Sequence, residues 1–254
     1  MRIVLSRKGF DTKNGGTPSA IMPNGDMVSF PIPSEEAHDF SELQYDGVSY
    51  DKVLRELLPH ASFHHCHVDP DLDQSRWKKP PRAWKPAFGQ AGPSATYLTK
   101  TVGLKRDDLL LFFGWYHRVA RDASGKFYVS RTGNFYDDRD LHVIGGFMQV
   151  GEIIAADARI AREYPWHPHA SFATAPTNIL VIPRARLSFA PSKPGHGLLP
   201  FSRQRVLTAE GKSKAYWRWN PVYAPGNVVV GQARKNSSRD PKCIYYSGIW
   251  QELG

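Results

Sequence analysis

Eight residues near the middle of the chain, Leu109 to Tyr116 (LLLFFGWY), carry no charged side chain. A strand with one wet face alternates apolar and polar residues. An unbroken run has to be covered on both faces, so this segment reads as a central strand. Further extended segments are expected at residues 2–6, Met27–Ile32, Lys126–Ser130, His142–Ile154, Ile179–Ile182, Val228–Val230 and Ile244–Trp250. Helices are fewer and short. Ser49 ahead of YDKVLRELL is an N-cap followed by apolar residues at helical spacing. Ser94–Val102 and Ala155–Glu163 are the other two. Residues His60–Gln90 lack periodicity and read as a long irregular loop, a feature that compact domains keep mostly for function. The glycines and prolines, 21 and 20 among 254 residues, fit many turns. Gly145, Gly146 and Gly151 interrupt a strand and suggest bulges, tight bends or close backbone approach. The expectation is one α+β domain over residues 1–254, mostly antiparallel, with a strongly curved sheet or partial barrel and a few short helices.

The net charge of +9 favours polyanionic partners. Arg76, Lys78, Lys79, Arg82 and Lys85 alternate with Trp77 and Trp84, which suits a phosphate backbone with bases to stack. Arg234, Lys235, Arg239 and Lys242 form a second basic group. Two cysteines, Cys66 and Cys243, are too few for a disulfide framework and read as reduced thiols. The opening MRIVLSRKGF breaks its apolar run with charge after a few residues, unlike a signal peptide, and no apolar stretch reaches membrane-spanning length. A cytoplasmic protein without membrane partners is expected; the sequence leaves its oligomeric state open.

Several groups can carry chemistry. Asp11, Asn14, Gly15 and Gly16 follow the first strand beside Arg7 and Lys8, where a glycine turn can aim N–H groups at an anion. The segment HHCHVDPDLD gathers His64, His65, Cys66, His67, Asp69, Asp71 and Asp73, the side-chain types of metal ligands and of general acids and bases. Its spacing matches no standard metal signature, and no metal or cofactor is assigned; a His-x-Asp pair can still supply two ligands of a site completed elsewhere. His167 and His169, two apart in WHPHAS, point the same way if extended, just before Asn178. His142 opens the strand that carries Gln149. Gln90 and Gln149 can read a base edge, and Glu252 can act as a base or hold a ribose.

In their order along the chain, SRKGFDTKNGGTPSAIMPNG, CHVDPDL, AFGQAGPSATYL, DDLLLFFGWY, HVIGGFMQVGEII and HPHA resemble the nucleotide modification associated domain proteins of the third type, a bacterial and phage family. The likeness runs from Met1 to about Asn178 and reaches WQEL near the end. It departs from the family pattern at Ala20, where a proline is usual, and at Trp250, where a glycine is usual. The resemblance implies a link to gene neighbourhoods that modify DNA bases. Its matched residues are Asp11, Gly15, Gly16, His67, Asp69, Asp71, Gln90, His142, Gln149, His167, His169 and Glu252.

Three functions compete on this reading. The first is an enzyme acting on a nucleotide or a DNA base. Its catalytic set is His67, Asp69, Asp71, His167, His169 and Glu252, and its nucleotide contacts are Arg7, Lys8, Asp11, Gly15, Gly16, Gln90, His142, Gln149 and Asn178. A histidine or carboxylate would be its general base, and group transfer from a nucleotide donor is one reaction it fits. The second is a non-catalytic module similar to the PUA-like family, reading a modified base in an aromatic pocket. The third is a subunit of a larger complex, which would show a large apolar patch and no convergent pocket.

Overall fold

A computed structural model describes residues 1–220 and the backbone of 243–245 and 252–253. The expected strand at Val228–Val230, the basic group from Arg234 to Lys242 and the side chain of Glu252 lie outside the described residues.

Sixteen strands are described, most of them short. They are β1 (Ile3–Arg7), β2 (Ser19–Ile21), β3 (Met27–Val28), β4 (Ile32–Asp39), β5 (Gln44–Tyr45), β6 (Val48–Ser49), β7 (His65–His67) and β8 (Phe88–Gln90) in the first part. The second part holds β9 (Leu109–Arg121), β10 (Phe127–Val129), β11 (Leu141–Ala155), β12 (Ile179–Pro183), β13 (His196–Leu198), β14 (Tyr216–Arg218), β15 (Cys243–Tyr245) and β16 (Glu252–Leu253). Helices are α1 (Tyr50–Leu57), α2 (Gly92–Thr96, continued by a π turn over Tyr97–Val102), α3 (Phe135–Asp138) and α4 (Arg159–Glu163).

Strand β9 is central, as its unbroken apolar run requires. Leu110 and Phe112 pack on one face with Val4, Phe88, Leu98 and Met148. Phe113 packs on the other with Leu5, Leu207 and Trp217. The main sheet runs β16-β1-β9-β11-β12-β8. It is more mixed than expected: β1 and β2 pair parallel to β9, whereas β11, β12 and β8 continue antiparallel. Helix α1 starts as anticipated, with the Ser49 hydroxyl accepting from the Lys52 N–H at 3.3 Å.

The curved or partly closed sheet is a correction. Among the described residues the sheet is open, with β8 and β16 at its two ends. Glycines in β11 serve local bulges and close approaches instead of curling the sheet. The register against β9 shifts between Ile144 and Gly146, and against β12 between Val150 and Glu152. A Cβ on Gly145 would lie 3.0 Å from the Tyr116 hydroxyl, and one on Gly151 would lie 2.8 Å from the Pro183 carbonyl.

The irregular stretch from His60 to Gln90 crosses this framework and is tied down at both ends. Strand β7 pairs with β4, and Asp71 exchanges two backbone hydrogen bonds with Ala87 at 3.1 Å. Strand β8 then joins the sheet as its edge. No helix among the described residues is long and apolar enough to cross a membrane.

Candidate active site

Asp69 follows β7 by two residues, and its side chain is only 7% exposed. One carboxylate oxygen, Oδ1, accepts the backbone N–H of Gly89 in β8 at 2.7 Å. The same oxygen faces Nε2 of His167 at 3.7 Å, and Oδ2 faces Nε2 of His169 at 3.9 Å. The irregular stretch, the edge strand and the turn after α4 therefore converge on one carboxylate. His67 joins them: its ring lies 5.3 Å from that of His169, nearly perpendicular.

The WHPHA segment presents both imidazoles through a 3-10 turn, Pro168–Ala170, with proline suited to its first position. His167 caps that turn, its Nδ1 accepting the N–H of His169 at 3.2 Å. An accepting Nδ1 puts the ring proton on Nε2. That Nε2 is buried, has no hydrogen-bond partner among the described residues and points at Asp69. At 3.7 Å the approach is too long for a hydrogen bond.

Asn178 settles the opposite tautomer in His169. Its Nδ2 donates to the carbonyls of His169 and Phe172, both at 3.1 Å, so its Oδ1 faces Nδ1 of His169 at 2.6 Å as an acceptor. His169 Nδ1 must then donate, and its Nε2 carries a lone pair towards Asp69. Burial pushes His169 down to about 4 against the attraction of Asp69, so the ring is neutral at neutral pH. Gly89 makes room for it. A Cβ there would lie 2.3 Å from Cδ2 of His169.

Burial by itself would raise the Asp69 carboxyl. The imidazole of His167, the charge of Lys8 and His169 outweigh it and hold the group below the usual carboxylate range. Asp71, two residues on, goes the other way. Burial pushes it up to about 6, against the hydrogen bonds to its Oδ2 from the indole N–H groups of Trp84 and Trp77, each 2.6 Å. Both carboxylates stand on the wall of a cleft with about 730 Å³ of empty space including its open mouth. Trp77, Phe112, Phe113 and Tyr116 line it, with Lys8 and Arg76 as its cations. Lys8 Nζ also sits 4.1 Å over the ring of Phe88.

Other residues singled out by sequence lie elsewhere. Asp11 Oδ1 accepts the N–H groups of Lys13 and Asn14, its Oδ2 pairs with Arg7 at 3.2 Å, and its backbone carbonyl accepts Gly16 N–H. Those N–H groups close the turn on itself and do not face an anion site. Gly15 packs on the ring of Phe10. His142 is buried, its Nδ1 accepting the indole N–H of Trp217 at 3.0 Å. Gln149 is buried, donating to the carbonyl of Asp107 and the hydroxyl of Ser188 and accepting the Ser188 N–H. Gln90 is buried beside Gly89, and strand alternation turns it with Phe88 away from His169. Glu252 contributes its backbone opposite Ser6. Cys66 is buried in the core, and burial pushes its thiol well up. The segment from His64 to Asp73 and the residues His167, His169 and Asn178 were visible as candidates in the sequence; the role of Gly89 was not, because nothing local signals a ring from 80 positions away (89 to 169).

Fold and centre together define an α+β protein of mixed sheet whose buried His–Asp cluster adjoins an aromatic, cation-bearing cleft. The chain belongs to the nucleotide modification associated domain 3 family, whose model matches residues 2–247. The family ties it to nucleotide modification systems. No curated protein and no solved structure matches it at a significant level.

Proposed function

We propose that the chain is a single-domain, cytoplasmic enzyme that modifies a nucleotide or a base in DNA, with the reacting edge of the substrate turned towards Asp69. The observation that carries this reading is a buried carboxylate, grouped with three imidazoles, on the wall of an aromatic cleft. Planar rings stack on aromatic faces such as Trp77 and Tyr116. Carboxylates accept hydrogen bonds from amino and ring N–H groups of bases, and both Asp69 and Asp71 line the cleft. Lys8 and Arg76 supply charge for a phosphate, and the net charge of +9 favours approach of a polyanion. A reader of modified bases needs only the stacking walls; the buried His–Asp cluster favours chemistry.

The test is incubation of the purified protein with DNA and with free nucleotides, donor nucleotides included, followed by digestion to nucleosides and mass spectrometry. A new nucleoside that disappears in Asp69→Asn supports the enzyme. Saturable binding of a modified oligonucleotide with no product from any donor supports the reader module instead.

A further inference from the structure

We propose that His67, Asp69 and His169 form a binding site for one divalent first-row transition-metal ion. The inference deepens the enzyme reading of the same centre, but its own argument is geometric. One ligand atom from each of the three residues lies within 4.8 Å of the other two. Two imidazoles and one carboxylate form a ligand set that such ions favour, and three protein ligands leave coordination positions for water or substrate.

What separates this cluster from a chance grouping is where its protons are. Asn178 holds the His169 proton on Nδ1, so the Nε2 lone pair faces Oδ2 of Asp69 across 3.9 Å. A carboxylate and an imidazole normally meet through a shared proton. Here they stand 3.9 Å apart without a hydrogen bond, a gap that a cation held by both would fill. The other oxygen is already engaged: Oδ1 takes the Gly89 N–H and faces the unpartnered Nε2–H of the fully buried His167. Asp69 thus has one oxygen anchored to protein donors and one left towards His169, the division that orients a metal-binding carboxylate.

The size also suits a transition ion. Ligands about 2.1 Å from a metal at a tetrahedral angle are about 3.4 Å apart. The observed separations are wider, and closing them takes side-chain movement on the order of one ångström. His67 is partly exposed, which leaves its side chain room to move. Asp69 stands on the cleft wall, so an ion on its Oδ2 would sit next to the space assigned to the base. Cys66, next to His67 in sequence, points into the core and takes no part.

Untagged, chelator-stripped protein would be titrated with Mn²⁺, Co²⁺ and Zn²⁺ in competition with a chromophoric chelator, without nucleotide. The expected result is one ion per chain, lost by at least about 100-fold in affinity in His169→Gln and Asp69→Asn, while His196→Gln binds as the parent does. Should the buried substitutions fail to fold, His67→Gln, at a half-exposed position, is expected to weaken binding about 10-fold or more with an unchanged melting curve. Binding that survives all three ligand substitutions, or no ion bound by folded parent protein, overturns the site. The two proposals fail separately. An ion bound with no nucleotide product removes the enzyme and leaves the metal site; product formed by folded protein that binds no ion removes the metal site and leaves the enzyme.

Discussion

Asp11 and Asp69 begin alike, each a carboxylate in a turn just after a strand, and end in different employment. The Asp11 carboxylate meets partners within four residues: Arg7, Lys13 and Asn14. Asp69 finds its partners at Gly89, His167 and His169, from segments that meet only in the fold. Local satisfaction makes a turn, and long-range satisfaction makes a centre. The difference also appears in titration. Against the effect of burial, Asp11 is held low by its own turn and Arg7, whereas Asp69 is held low by groups of other elements.

The largest expected effect is on chemistry. Asp69→Asn should lower nucleoside product formation by about 100-fold or more, as loss of a reacting group does, while Asp11→Asn changes it less than about twofold. Equal losses in the two variants would break the comparison.

Next in size is a pH effect from a third buried group. Burial, helped by the charges of Lys214 and Arg7, pushes His142 down to about 3 from an ordinary 6.5. The unfolded chain then takes up a proton below pH 6.5 that the folded chain refuses. Stability should be flat above that value and fall as the pH drops towards 3, by on the order of a few kcal/mol. Denaturant melts of the parent and of His142→Gln, which keeps an acceptor for Trp217, give the check: the slope should shrink in the variant.

Glycines sharpen the contrast further. Gly89→Ala drives a Cβ into the ring of His169 and should cost about 1–3 kcal/mol in urea melts. Gly16→Ala meets no atom within 4 Å, and its φ of +67° limits the cost to about 1 kcal/mol. The reverse order would mean that the ring gives way without strain. Smallest of all, Asp11→Asn should destabilise by about 0.5–1 kcal/mol near neutrality, with the difference vanishing as the pH falls through the lowered pKa of Asp11.

Local chemistry explains what could be read from the chain alone. The double coverage of Leu109–Tyr116 follows from composition, and the start of α1 at Ser49 from one hydroxyl. Gly145 and Gly151 do mark bulges and close approaches, to a tyrosine and a neighbouring carbonyl, but a glycine does not name what comes close, and the step from them to a curled sheet did not follow. The histidines divide for the same reason. His142 and His169 are both buried and both pushed down, but one is answered by Trp217, 75 residues away, and the other by Asn178 and Asp69. Residue type nominates such groups, and only the three-dimensional partner assigns them.

Strand β8 closes one end of the sheet, and an outermost strand ordinarily invites pairing with a neighbouring molecule. Here its outward N–H groups are already taken, that of Ala87 just before the strand by the carbonyl of Asp71 and that of Gly89 by Asp69. The segment that builds the centre therefore also serves as a selvage, occupying donors that an added strand would need.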